Sequence, residues 1–261
     1  MATQLLIYER ATPITVSRHK DHSVKTGEDY SFAAKINAVP LMATEFSTAA
    51  QEFAVVFAGT EGRVMPTAVC GARAEENLYV SDDGKWQAPY LPAFIRQYPF
   101  VFASSNDGET LTLCLDEEFT GVNTDGRGER LFDSDGERTT YLKGMVEFSR
   151  SYQQHFRRTE QFCARLLEYD LLEPMQAQFR GPAGDIVQLT GFQAVNRDRL
   201  KALEADVLKG LCAADELELI YIHLQSMRNF ERLVARLDGA VPEGQARAES
   251  ETPVLEDAEV E

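Results

Sequence analysis

The first half of the chain alternates short apolar runs with glycine-bearing turns. Three pairs of runs flank such turns: 52–58 with 63–70, 77–80 with 85–87, and 98–103 with 110–115. The glycines predict hairpins, because glycine adopts the positive φ that a tight connection between antiparallel strands requires. Three hairpins predict a mostly antiparallel sheet. Pro66 predicts an edge strand or a bulge, since proline lacks the N–H of a ladder.

The pattern changes its period after residue 140. From Tyr141 to Tyr169, apolar residues recur every three or four positions, which predicts one long amphipathic helix that ends before Pro174. A short hairpin is then predicted at 175–190. Further helices follow, one capped by Asn196 or Asp198 and the last running from about residue 216 to 237.

These elements together predict an α+β protein with its sheet first and its helices afterwards. We expect residues 1–238 to form a single domain that is sheet-rich over 1–135 and helix-rich over 140–238. Residues 239–261 hold seven acids and one arginine among small residues and prolines. That composition predicts a disordered acidic tail.

Charge and hydropathy narrow the classes of partner. The net charge is −16, which argues against nucleic acid and against an anionic membrane surface as partners. No apolar run is long enough to span a membrane. The first ten residues lack a secretory core, so we expect no signal peptide and a cytoplasmic protein. The four cysteines match no zinc or redox spacing and are predicted to be buried free thiols.

A mid-chain stretch, 121–139, packs four glycines, five acids and three arginines together. It does not fit a helix-loop-helix calcium site, because Leu131 and Leu142 would occupy ligand positions. It also lacks the lysine and hydroxyl of a phosphate-binding loop. A surface loop with local ion pairs is the favoured interpretation, and an irregular calcium site is the less favoured one. Arg127 and Arg130 keep a third hypothesis open, in which they hold a carboxylate ligand.

Residues 86–100 combine aromatic side chains, prolines and one arginine. Trp86, Tyr90 and Arg96 lie in this segment, and aromatic residues with polar tips suit either a ligand wall or a partner surface. The alternative is that the segment only covers the core. Arg228 interrupts the apolar stripe of the last helix and is a further candidate for binding. It is otherwise part of the solvent face.

Motifs for chemistry are missing. The sequence holds no nucleophile elbow and no metalloprotease histidine pair. His19 and His22 have a spacing that could bind a metal on a helix, but their neighbours favour an extended or loop segment with solvated histidines. We therefore predict no catalytic residues, no metal and no cofactor, and we favour a non-catalytic role.

Several blocks resemble the SapC family of bacterial proteins. They occur in order at 37–46, 76–80, 90–102, 128–133 and 218–230, and the similarity runs from about Leu5 to Leu237. The family is named for association with a bacterial paracrystalline surface layer. Its members tend to be encoded near outer-membrane nutrient receptors and flavin-dependent halogenase-like enzymes. The resemblance implies an accessory or uptake role, and surface association rests on it alone.

Two main hypotheses about function follow. The first is a non-catalytic accessory protein that binds a protein partner, with a link to the surface layer or to nutrient uptake. The second is a binding or sensor protein that holds a small acidic or sugar-like ligand between sheet and helices, gripped by arginines such as Arg96, Arg127, Arg130 and Arg228. An enzyme with a metal or carboxylate site is the least favoured alternative.

Overall fold

The computed structural model describes residues 7–60, 62–104, 111–181 and 184–239. Within these ranges the strands are β1 Ala11–Pro13, β2 Ser23–Val24, β3 Ala38–Pro40, β4 Val55–Thr60, β5 Arg63–Val69, β6 Phe100–Ser104, β7 Leu111–Asp116, β8 Val122–Asn123, β9 Glu129–Arg130, β10 Leu172–Arg180 and β11 Ile186–Val195. The α-helices are α1 Val16–His19, α2 Phe46–Ala49, α3 Ala93–Gln97, α4 Thr140–Glu168, α5 Arg197–Lys201, α6 Ala205–Ala213, α7 Glu216–Ser226 and α8 Phe230–Leu237. The predicted α+β class is confirmed. The acidic tail from residue 240 lies outside the described ranges, and the single-domain assignment stays a prediction.

The strands form three antiparallel sheets. The largest has the order β10-β11-β4-β5-β3, and two smaller ones have the orders β1-β7-β6 and β8-β2-β9. The expectation that Pro66 marks an edge strand is wrong, because β5 lies between β4 and β3. The C=O of Pro66 accepts from the N–H of Leu41, the first residue after β3. Because the N–H and the C=O of a strand residue face the same neighbour in an antiparallel ladder, the nitrogen of Pro66 also faces this side of β5. A donor at position 66 would therefore face the side on which the β3 ladder has already stopped.

Two of the three predicted N-terminal hairpins form as ladders. β4 pairs with β5, and β6 pairs with β7, although the turn expected at 106–108 lies outside the described residues. The third is reduced to one bridge between Val80 and Trp86. Its first arm is held by a side chain instead, since Asn77 donates to the C=O of Ala33 and accepts from the N–H of Tyr79. A side chain that satisfies the backbone in this way competes with a strand ladder.

The long helix α4 confirms the prediction from periodicity. Thr139 caps it, with its hydroxyl accepting from the N–H of Leu142, and its inner face packs on β5. Phe162 on this face lies 6.2 Å from the ring centroids of both Phe46 and Phe57. The helix does not need Pro174 to end it. The chain leaves through Asp170, which has a φ of 50°, and Pro174 lies inside β10.

Among the C-terminal helices, α7 packs on β4 and β11 of the large sheet, and α6 packs on α7. Asn196 caps α5 by accepting from the N–H groups of Asp198 and Arg199. The predicted last helix is broken by a 3₁₀ turn, Met227–Asn229. Within the described residues Cys70, Cys114 and Cys163 are buried free thiols as predicted, whereas Cys212 is exposed.

Candidate functional site

In the stretch 121–139, the side chain of Asn123 holds the backbone of its neighbours in place. The side-chain oxygen of Asn123 accepts from the N–H groups of Asp125 and Arg127, and its amide donates to the C=O of Arg127 at 2.9 Å. Gly128 has a φ of 81°, and a Cβ there would lie 2.4 Å from the carbonyl oxygen of Val24. Across the described residues no group of three or more acids, histidines or cysteines gathers as metal ligands. These contacts support the surface-loop interpretation.

The aromatic segment is anchored by a buried acid. Oε1 of Glu45 accepts from the hydroxyl of Tyr90 at 2.7 Å and from the N–H of Ala93 at 2.8 Å, while Oε2 accepts from the N–H of Met42 at 2.7 Å. Glu45 is buried. Burial, reinforced by the nearby Glu45 carboxylate, raises the pKa of Tyr90. Its hydroxyl therefore stays protonated and donates.

Trp86 covers the core and positions Tyr90 from the other side. Its indole N–H donates to the C=O of Tyr90 at 2.9 Å. The ring is half-buried and stacks on Tyr79, with centroids 6.0 Å apart. The guanidinium of Arg236 also lies over the ring of Tyr79, 4.1 Å from its centroid, and donates to Glu52 at 2.9 Å. Trp86 therefore supports the segment from beneath, and its burial leaves little of it for a partner.

Of the three candidate residues in this segment, Arg96 is the exposed one. Its guanidinium carbon lies 5.9 Å from the ring centroid of Tyr90 and 5.5 Å from that of Phe148 on α4. Beside them, Met65 and Phe156 are half-buried and pack, like Phe148, on a small apolar cluster. We call Tyr90, Arg96, Phe148, Met65 and Phe156 the Arg96 patch. A cation lying on aromatic rings is stabilised by their negative faces, so the arginine is held in place while its charge stays accessible.

The other predicted arginines lie elsewhere. Arg127 is exposed and pairs with Asp125 at 3.6 Å, Arg130 is exposed in β9, and Arg228 is exposed in the turn between α7 and α8. Among the described residues no contact joins any of these three to Arg96. Their role in ligand binding stays a prediction.

A pocket lies between α4 and the sheet of β1, β7 and β6, lined by residues that the sequence analysis did not single out. Its volume is about 300 Å³. The apolar lining consists of Ile14, Phe102, Leu111, Leu113, Leu142 and Val146. Thr112 and two arginines, Arg138 and Arg150, complete the wall. We call this the sheet–helix pocket. Arg138 belongs to the stretch 121–139, and its position just before the predicted long helix was the signal available in the sequence.

The comparison with protein families decides the assignment. The SapC family profile matches residues 14–233, which is most of the chain. The chain belongs to the SapC family. No curated protein and no solved structure matches it. None of the helices in the described part of the chain combines the length and apolar character that a membrane crossing requires.

The last of the SapC-like blocks, 218–230, has a structural role in this fold. His223 donates through Nδ1 to the C=O of Val55 at 2.7 Å and accepts through Nε2 from the N–H of Val195 at 3.0 Å. Ser226 accepts from the N–H of Val55 at 2.9 Å, and Asn229 donates to the C=O of Phe53 at 2.9 Å. These side chains point inward at helical spacing, so the block fixes the helix to the sheet.

In this SapC chain, the expectation of two solvated histidines is wrong for His19. It is fully buried at the end of α1, whereas His22 is half-buried. Its Nδ1 accepts from the N–H of Thr15, and its Nε2 lies 3.1 Å from Glu117. Burial lowers the pKa of His19, while the Arg18 guanidinium lowers the pKa of Glu117 to about 2. Glu117 arrives from a distant part of the chain, and for that reason the neighbours of His19 in sequence gave the wrong prediction.

Proposed function

We propose that this SapC protein is a non-catalytic accessory protein that binds a protein partner through the Arg96 patch. The observation that carries the proposal is the exposed guanidinium of Arg96 resting on Tyr90 and Phe148. Tyrosine, phenylalanine, methionine and arginine are the side chains enriched where proteins bind each other. The patch combines all four types.

The patch is also preorganised for binding. Glu45 and Trp86 both hold Tyr90 in place, so little side-chain freedom remains to be lost when a partner docks. Arg96 forms no ion pair within the described part of the chain, and its charge is therefore free to meet an acidic group. An arginine of this kind at the centre of an interface is a typical hot spot.

The engagement of the buried polar groups favours a non-catalytic role. Glu45 is saturated by two backbone N–H groups and a hydroxyl. His223 uses both ring nitrogens on the backbone. A general acid or base needs access to a substrate proton, which these groups lack. Surface-layer association or nutrient uptake is the cellular setting that the family resemblance adds to this proposal.

A photo-crosslinking residue placed at Phe156 tests the proposal. We expect it to capture a protein from extracts of the source bacterium, while the same residue placed at Arg228 captures none. The captured protein should bind the purified chain, and Arg96→Ala should weaken that binding about 30-fold, as expected for a hot spot worth about 2 kcal/mol.

Arg228→Ala is the matched control, because it removes an exposed arginine outside the patch. Equal affinities of the Arg96→Ala and Arg228→Ala variants for the captured protein would contradict the proposal. So would crosslinking that is as strong from position 228 as from position 156.

A second candidate function is the binding of a small acidic ligand between sheet and helices. The sheet–helix pocket favours it, because this pocket joins an apolar lining to two arginines. The arginines concerned are Arg138 and Arg150, whereas the sequence had directed attention to Arg96, Arg127, Arg130 and Arg228. A sugar-like ligand is less favoured than one with an apolar part, since six of the nine lining residues have apolar side chains.

A further inference from the structure

The sheet–helix pocket has a continuous apolar floor. Phe102 on β6 pairs with Leu113 on β7, and the N–H of Ile14 donates to the C=O of Leu113 at 3.0 Å. These three residues therefore form a row across the sheet. Leu142 and Val146 face the row from α4, one helical turn apart. Leu111 remains 37% exposed at the pocket, so an apolar ligand would cover surface that the chain itself leaves to water.

The two arginines of the pocket differ in how far they are neutralised. Arg150 donates to Glu147 at 2.9 Å. Arg138 forms no ion pair among the residues that the structure describes, and it lies just before the N-terminus of α4. The positive end of a helix dipole favours an anion at that place. Within the described residues, the pocket thus offers one cation without an acidic partner beside apolar side chains.

We propose that the sheet–helix pocket binds a hydrophobic monocarboxylate, such as a medium-chain fatty acid, with its carboxylate on Arg138 and its hydrocarbon chain on the apolar floor. Guanidinium matches a carboxylate through two parallel hydrogen bonds. A single cation without an acidic partner among the described residues suits one negative charge. A multiply charged phosphate would be repelled more strongly than a monocarboxylate by Glu147, which pairs with Arg150, and by Glu137, which precedes Arg138 in the chain.

The inference deepens the second candidate function and does not depend on the Arg96 patch. The patch lies where α3 meets α4, and none of its five residues lines the sheet–helix pocket. A failure of one assignment therefore leaves the other standing, provided that each is measured by itself.

Calorimetric titration of the purified full-length chain with octanoate tests the proposal. We expect saturable binding of one molecule per chain, and an affinity that rises about fourfold per added methylene from hexanoate to octanoate. Octylamine, which has the same chain with the opposite charge, should not bind. Arg138→Gln should weaken octanoate binding about tenfold or more, because it removes the charged partner.

Two further variants sharpen the outcome. Arg197→Gln, at an exposed arginine of α5 that does not line the pocket, should bind octanoate as the wild type does. Val146→Trp should abolish binding by filling the cavity, with a melting curve to verify that it folds. Octanoate binding that is unchanged in Arg138→Gln, equal binding of octylamine, or no saturable binding at millimolar octanoate would each overturn the proposal. The Arg96→Ala variant should retain full octanoate affinity.

Discussion

Replacing His223 with leucine is expected to lower the free energy of unfolding by about 2–6 kcal/mol. The imidazole is fully buried and bonds the C=O of Val55 and the N–H of Val195. Leucine fills similar space but leaves the N–H of Val195 without its partner and the C=O of Val55 with only a 3.5 Å contact to the hydroxyl of Ser226, and each such loss at a buried group costs about 1–3 kcal/mol. Urea unfolding followed by circular dichroism measures the effect.

Tyr221→Leu is the control for this variant, since Tyr221 lies on the same helix but is 49% exposed. We expect a change within about 0.5 kcal/mol there. A His223→Leu variant that is as stable as the control would contradict the bridging role of the imidazole.

Because of His223, we also expect the free energy of unfolding to depend on pH. Burial lowers the pKa of His223 from 6.5 to about 4 in the folded protein. The unfolded chain then binds more protons between these values, so stability falls as the pH drops from 6.5 towards 4, by roughly 3 kcal/mol in all. The loss should be measurable by unfolding at each pH. The leucine variant should lack this component, and an unchanged slope in that variant would contradict the assignment.

Glu45→Gln is expected to lower the free energy of unfolding by about 2–3 kcal/mol and to disturb the Arg96 patch. The carboxylate accepts three hydrogen bonds, from Met42, Tyr90 and Ala93. Glutamine must turn its NH₂ group towards at least one of these donors, which leaves buried donors facing each other. Denaturant unfolding gives the stability change. The fluorescence of Trp86, the single tryptophan, should shift to longer wavelength as its hydrogen bond to Tyr90 loosens.

Glu160→Gln serves as the comparison for this variant. Glu160 pairs with Arg63 at the surface, and exposed ion pairs contribute at most about 1 kcal/mol. If Glu45→Gln and Glu160→Gln give the same stability and the same Trp86 emission, the anchoring role of Glu45 is wrong.

Local periodicity accounts for the part of the fold that could be predicted. Apolar residues three and four positions apart predict the helix from Thr140 to Glu168, and glycines between two apolar runs predict the β4–β5 hairpin. Both signals arise within one element. The 77–87 hairpin is reduced to one bridge, because the side chain of Asn77 bonds the C=O of Ala33, a residue far from it in sequence. The prediction of an edge strand from Pro66 is wrong because a proline can lie inside a sheet where the neighbouring strand ends, and the end of β3 at Pro40 cannot be read from the residues around Pro66.

The site was less accessible to sequence reasoning than the fold. The sequence indicates Trp86, Tyr90 and Arg96 as candidates because they lie within eleven consecutive residues. Phe148 joins Arg96 only through tertiary contact. Arg138 likewise acquires its setting from Phe102 and Leu113, which the sheet brings to it. Composition indicates which residue types suit a partner, but the pairing of distant elements decides which of them meet.

The order of strands in the large sheet has a consequence for how the protein is made. β11 joins the sheet at β4 through the pairs Phe192↔Ala58 and Gln193↔Phe57, so a growing chain presents β4 and β5 long before their neighbour is synthesised. Until then the outer edge of β4 carries unpaired N–H and C=O groups next to buried-type residues such as Phe57, which is a template for wrong pairing. We therefore expect ribosome-bound chains that stop before β10 to depend on chaperones for their solubility.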